Sequence, residues 1–178
     1  KKLKLINVGR CTDQKNQILI LKAINLIKNK IPLKLLIAGS GKNFIKLKSY
    51  IRNNNLKINI KLLNFLKNPY KYINKADIVI LSSNYEGLPN VLLEAQCLKK
   101  IILSTKCPTG PKEILLNGKA GTFFKMNDYK DLAKKISFIN DNKVKIKKKT
   151  DIGYKNLKRF DQQVNLSRYY SILKKYIS

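Results

Sequence analysis

The 178-residue chain contains no histidine. That absence removes Ser-His-Asp and Cys-His nucleophile systems, His-ligated metals and the commonest general base. No Asp-x-Asp pair occurs either, so no simple carboxylate clamp for a divalent cation is visible, and no metal is expected. The three cysteines, Cys11, Cys97 and Cys107, are odd in number and form no C-x-x-C pair. A disulfide framework and a zinc site are therefore not expected, and a reducing, cytoplasmic setting fits. No apolar run approaches the ~20 residues that span a bilayer. The opening Lys1-Lys2-Leu3-Lys4-Leu5-Ile6 leads straight into a strand-like segment and does not look like a signal peptide.

Acid is scarce too. Ten acidic residues face 38 basic ones, for a formal charge of +28. Such a charge raises nucleic acid or an anionic membrane surface as partners. Nearly all the cations are lysines; the arginines are Arg10, Arg52, Arg159 and Arg168. Base-edge and phosphate-fork recognition favours Arg, so no specific nucleic-acid partner is expected. Peripheral attachment to an anionic inner-membrane face stays open, and so does a coding bias toward Lys, Asn and Ile.

What is present is a 44% hydrophobic chain of single-domain length. Short apolar runs alternate with helix-length segments. Strands are predicted at 3–8, 33–38, 58–63, 77–82 and 101–104. Helices are predicted at 17–30, 44–53, from Pro69, at 89–99, 131–140 and 161–177. The continuous Ile78-Val79-Ile80-Leu81 suits a strand buried on both faces of a parallel sheet. The alternation predicts an α/β, doubly wound parallel sheet. Lys143 to Lys149 reads as a solvated loop or helix end. Ligands bind such sheets beyond the carboxyl ends of the strands. The loops expected there are 9–16, 39–43 and 82–90.

The strongest chemical pattern is Glu86-Gly87-Leu88-Pro89-Asn90-Val91-Leu92-Leu93-Glu94. Gly87 and Pro89 shape a turn from a buried strand into a helix. Unpaired amides and the dipole at a helix start suit a diphosphate, and Gly87 lets a ligand approach the backbone. Glu94, an acceptor-only carboxylate, matches the two hydroxyls of a ribose. The same spacing also fits a capping turn with a surface Glu. A second pattern, Gly9-Arg10 with Lys15, sets two cations on a binding-edge loop, where they suit a departing diphosphate; two ordinary surface cations read the same way. The turn Gly39-Ser40-Gly41 is the weakest of the three, since such turns mostly just redirect the chain.

Taken in order, these segments resemble the C-terminal domain of retaining GT-B glycosyltransferases. The match runs through Val8-Gly9-Arg10 and Lys15, Ile37-Ala38-Gly39-Ser40-Gly41, Ala76 to Ser83, and the E-x7-E pair Glu86 and Glu94. It continues through Ser104 to Leu115 and Asn117-Gly118-Lys119-Ala120-Gly121. The resemblance implies a Rossmann-like half of a GT-B fold over residues 1–160. It further implies a C-terminal helix, 161–178, that crosses to an N-terminal acceptor domain or partner chain. It implies a nucleotide-sugar co-substrate, UDP- before GDP-, a glycan or lipid-linked acceptor, and retention without metal or other cofactor. By the same resemblance Arg10 and Lys15 bind the donor diphosphate and Glu86 contacts the transferred sugar. Glu94 binds ribose, and Gly87, Leu88, Pro89 and Asn90 meet sugar or phosphate through their backbone. Gly9, Gly39 and Gly41 border the donor. Ser40 stands where the family often carries an acid. A basic α/β module that binds anionic surfaces without catalysis is the alternative.

Overall fold

The period-two apolar runs become strands, and each is followed by a helix that carries its apolar stripe back onto the sheet. The computed structural model describes residues 2–177. In chain order the elements are β1 (Leu3–Val8), α1 (Gln17–Ile27), β2 (Leu33–Ala38), α2 (Phe44–Asn53), β3 (Ile60–Leu63) and α3 (Tyr70–Lys75). Next come β4 (Ile78–Leu81), α4 (Asn90–Cys97), β5 (Ile101–Thr105), α5 (Pro111–Ile114), β6 (Thr122–Phe124), α6 (Tyr129–Asp141), α7 (Lys143–Asn156) and α8 (Gln162–Ile177). The strands form one six-stranded sheet in the order β3-β2-β1-β4-β5-β6, parallel throughout. The order reverses between β1 and β4, and the loops leaving those two strands open a crevice there.

Two apolar layers sandwich the sheet. Leu3, Leu5, Leu33, Leu35, Ile37, Ile78 and Ile80 meet α1, α2 and α6 on one face. Ile6, Val79, Leu81 and Ile102 meet α3, α4 and α5 on the other. All four residues of β4 are buried, as a strand covered on both sides requires. Asp128 starts α6, its carboxylate accepting from the Asp131 amide at 2.8 Å.

Four expectations need correction. The Lys-rich stretch 143–149, expected as a solvated loop or helix end, is the N-terminal half of the 14-residue helix α7. Its buried residues Ile146, Thr150, Gly153 and Asn156 recur at helical spacing, while Lys145, Lys147 and Lys148 are exposed. The strand expected from 58 begins at Ile60, because Ile58 is exposed. The first helix stops at Ile27, short of 30. The short β6 and α5 were not anticipated. Helix α8 lies almost bare: among its residues only Leu173 is even half-buried.

Candidate functional site

Two loops meet at the strand ends because glycine lets them. The β1–α1 and β2–α2 loops are joined by backbone bonds: the Cys11 amide donates to the Ser40 carbonyl at 2.8 Å, and the Asn43 amide to the Cys11 carbonyl at 2.9 Å. Gly39, at φ +154°, leaves only 2.0 Å between a would-be Cβ and the Gly9 carbonyl oxygen. Gly41 leaves 2.6 Å to the Cys11 carbonyl oxygen. Any larger residue would wedge the loops apart. Buried Gln17 adds a side-chain tie, its amide donating to the Arg10 carbonyl at 2.9 Å. The Arg10 side chain is exposed, and it makes no ion pair among the described residues.

Arg10 and Glu94 line one cleft of about 390 Å³, together with Gly9, Gly39, Phe65 and Tyr70. Glu94 stands on the second turn of α4, half-buried, and burial raises its carboxyl above the ordinary carboxylate range. Its carboxylate makes no ion pair among the described residues. A half-buried acceptor of this kind gains from a hydroxyl that reaches it.

Lys15 and Glu86 lie outside that cleft's walls but meet each other. Lys15 Nζ stands 2.6 Å from Glu86 Oε1, although the residues are 71 positions apart. The Ser83 hydroxyl donates to the same oxygen at 2.5 Å. Glu86 is buried and Lys15 partly so; desolvation therefore makes the pair costly to split. Hydroxyl groups hold the frame around it. Ser82 donates to the Lys15 carbonyl at 2.7 Å, Thr105 to the Ser83 carbonyl at 2.7 Å, and Thr109 to the Glu86 carbonyl at 2.5 Å. Gly110, at φ +74°, packs where a Cβ would stand 2.2 Å from the Gly87 carbonyl oxygen. Gly87 itself is the opposite case, with nothing within 4 Å of a would-be Cβ. Pro89 is buried and caps α4, and exposed Leu88 and Asn90 flank it.

The arrangement gathers most of the expected residues at one strand edge. Of them Gly9, Arg10, Gly39 and Glu94 line the cleft itself, whereas Lys15, Glu86 and residues 87–90 lie outside its walls and Gly41 serves loop packing. Sequence reasoning passed over Ser83, Thr109, Gly110, Phe65 and Tyr70. The signals were thin: hydroxyl residues just after a strand, and an aromatic pair around Pro69. Among the described residues, no group of three or more His, Cys, Asp or Glu could hold a metal ion.

A model of the group 1 glycosyl transferases matches residues 1–159. The chain belongs to that family. Among its relatives, an uncharacterized glycosyltransferase of Methanocaldococcus jannaschii is 41% identical over 111 residues, 62% of this chain and 27% of that protein. The N-acetylgalactosamine-N,N'-diacetylbacillosaminyl-diphospho-undecaprenol 4-alpha-N-acetylgalactosaminyltransferase of Campylobacter jejuni is 31% identical over 124 residues, 70% of this chain and 33% of that protein. This group 1 domain thus spans about a third or less of either relative. The crystal structure of Anabaena HepE in complex with UDP superposes with a TM-score of 0.88 at 18% identity, covering 98% of this chain and 49% of that one. At that identity the likeness speaks for the fold, which is one half of the GT-B architecture.

Proposed function

We propose that this chain is the donor half of a retaining glycosyltransferase that takes a UDP-sugar and passes a hexosyl group to a glycan or lipid-linked acceptor. The observation that carries the reading is the pairing of Arg10 and Glu94 in one cleft beside the Lys15–Glu86 ion pair. In this reading the half-buried Glu94 carboxylate accepts from the two ribose hydroxyls. Arg10 and Lys15 donate to the diphosphate and take up negative charge as the nucleotide leaves. Glu86, held by Ser83 and Lys15, presents its carboxylate to the transferred sugar. The open space over Gly87 admits that sugar to the backbone, and the amides at the start of α4 meet sugar or phosphate. No metal takes part.

UDP is preferred over GDP because UDP occupies the structural neighbour from Anabaena. The acceptor class follows the Campylobacter relative, whose name gives a diphospho-undecaprenol substrate. Polypeptide outside these residues, or a partner chain, supplies the acceptor half. Residues 161–177 reach toward it, with Val164, Leu166, Tyr169 and Ile172 exposed on α8.

Calorimetric titration with UDP, GDP and ADP in EDTA tests the reading. UDP is expected to bind best, undiminished by the chelator, and Glu94→Ala to weaken it at least tenfold. Equal, salt-sensitive binding of all three nucleotides, unchanged in the variant, would overturn the proposal and leave a basic binding module.

A further inference from the structure

A second concave surface lies nearer the starts of β1 and β2, on the strand face that leads to the cleft. Strand parity turns Lys4 and Ile6 of β1, Lys34 and Leu36 of β2, and Lys61 of β3 to one face of the sheet. In the β1–β2 register Lys4 is level with Lys34 and Ile6 with Leu36; in the β2–β3 register Leu36 is level with Lys61. Helix α3, only six residues long, is the element that packs on β1 here. It leaves an open groove of about 230 Å³ with Ile6, Leu36 and Tyr72 as its floor, rimmed by Lys4, Lys34, Lys61 and Lys75.

The rim is unbalanced. All four lysines are exposed, and none makes an ion pair among the described residues. No carboxylate lines the groove. The neighbouring Asp77 is already engaged by Lys143 Nζ at 2.6 Å and by the Lys4 amide at 2.9 Å. Like charges level with each other on adjacent strands repel. Lysines on an edge strand are a known guard against sheet-to-sheet aggregation, and that accounts for Lys61 on β3. It does not account for Lys4, which stands on a strand paired on both sides.

We propose that this groove is a docking surface for an anionic phospholipid bilayer, with Lys4, Lys34, Lys61 and Lys75 on the headgroups and the half-buried Leu36 and Tyr72 of the floor turned to the acyl boundary. Charge complementarity selects the occupant. An apolar floor inside a cationic rim matches an anionic interface, where lysines meet headgroups and apolar side chains enter the boundary. Helix α8 of a second copy does not fit, because its own Arg168, Lys174 and Lys175 would repel the rim. The groove is lined by Lys4 to Ile6 of β1 and Lys34 to Leu36 of β2, and the donor cleft begins two residues further along each strand, at Val8 and Ala38. The inference does not depend on the donor reading.

Vesicle co-sedimentation tests it. The chain is expected to bind phosphatidylcholine vesicles containing phosphatidylglycerol and to ignore phosphatidylcholine alone. Replacing Lys4, Lys34 and Lys61 together by Gln is expected to lower partitioning roughly 100-fold, at about fivefold per lysine. A matched triple, Lys48→Gln, Lys130→Gln and Lys134→Gln, removes equal charge from α2 and α6 on the opposite face and is expected to change partitioning less than tenfold. Equal losses in the two triples would overturn the proposal in favour of diffuse charge; no loss in the first would overturn it outright. The chain has no tryptophan, so Tyr72→Trp provides a single reporter. Lipids brominated on the acyl chain are expected to quench it in anionic vesicles, and unquenched fluorescence with the protein bound would place another face on the membrane.

Discussion

The two sides of the crevice are fastened by different means. On the β1–β2 side the loops lock through main-chain bonds and glycine contacts, with Gly39 against Gly9. On the β4–β5 side the Glu86 turn hangs from side-chain hydroxyls of Ser83, Thr105 and Thr109. A main-chain lock is indifferent to most side chains but intolerant at its glycines. A hydroxyl frame can be loosened one bond at a time, and it surrounds the pair that the proposed chemistry uses.

Substitutions can break that contrast at graded cost. Gly39→Ala forces a Cβ to within 2.0 Å of a carbonyl oxygen, and denaturant unfolding is expected to show a loss of about 3 kcal/mol. Ser83→Ala removes one donor to a buried carboxylate, for a loss of about 2 kcal/mol by the same assay. Gly87→Ala meets nothing within 4 Å. Its stability is expected to shift by at most about 0.5 kcal/mol, while calorimetry shows weakened UDP-sugar binding because the added methyl occupies donor space. The two glycines then separate packing from ligand access.

The smallest effect is expected at Glu94, and it depends on pH. Burial raises its folded carboxyl above the unfolded value. The favourable contribution is therefore complete below the unfolded pKa and is lost as pH rises through the folded one. At neutral pH the ionised Glu94 costs stability. Glu94→Gln is expected to raise the unfolding temperature at pH 7 and to leave it nearly unchanged in acid. An equal gain at both would assign the effect to packing.

Legibility in the sequence followed length and pattern. Ile78-Val79-Ile80-Leu81 announces a buried strand because no polar residue interrupts it. Helix α7 was hidden by its own lysines, which cover a buried stripe of just Ile146, Thr150, Gly153 and Asn156. Strand β6, three residues long, is too short to show a period. Within the site, the turn at Glu86 to Glu94 stands out because both carboxylates lie on one continuous segment. The contact of Lys15 with Glu86 arises from strand order, as β1 and β4 become neighbours only when the sheet assembles. Phe65 lies on the β3–α3 connection and Tyr70 opens α3, neither within a motif, and only the folded crevice brings them to Arg10.

Helix α8 has a consequence in the language of helix–coil equilibria. Sixteen residues that bury almost nothing have little beyond propensity to hold them, and an isolated helix of that length is marginal in water. Its amides are therefore expected to exchange with deuterium long before those of β1 or β4, as a unit separate from the sheet. Whatever covers Val164, Leu166, Tyr169 and Ile172 would order the helix as it binds, and slowed exchange confined to 162–177 would be its signature.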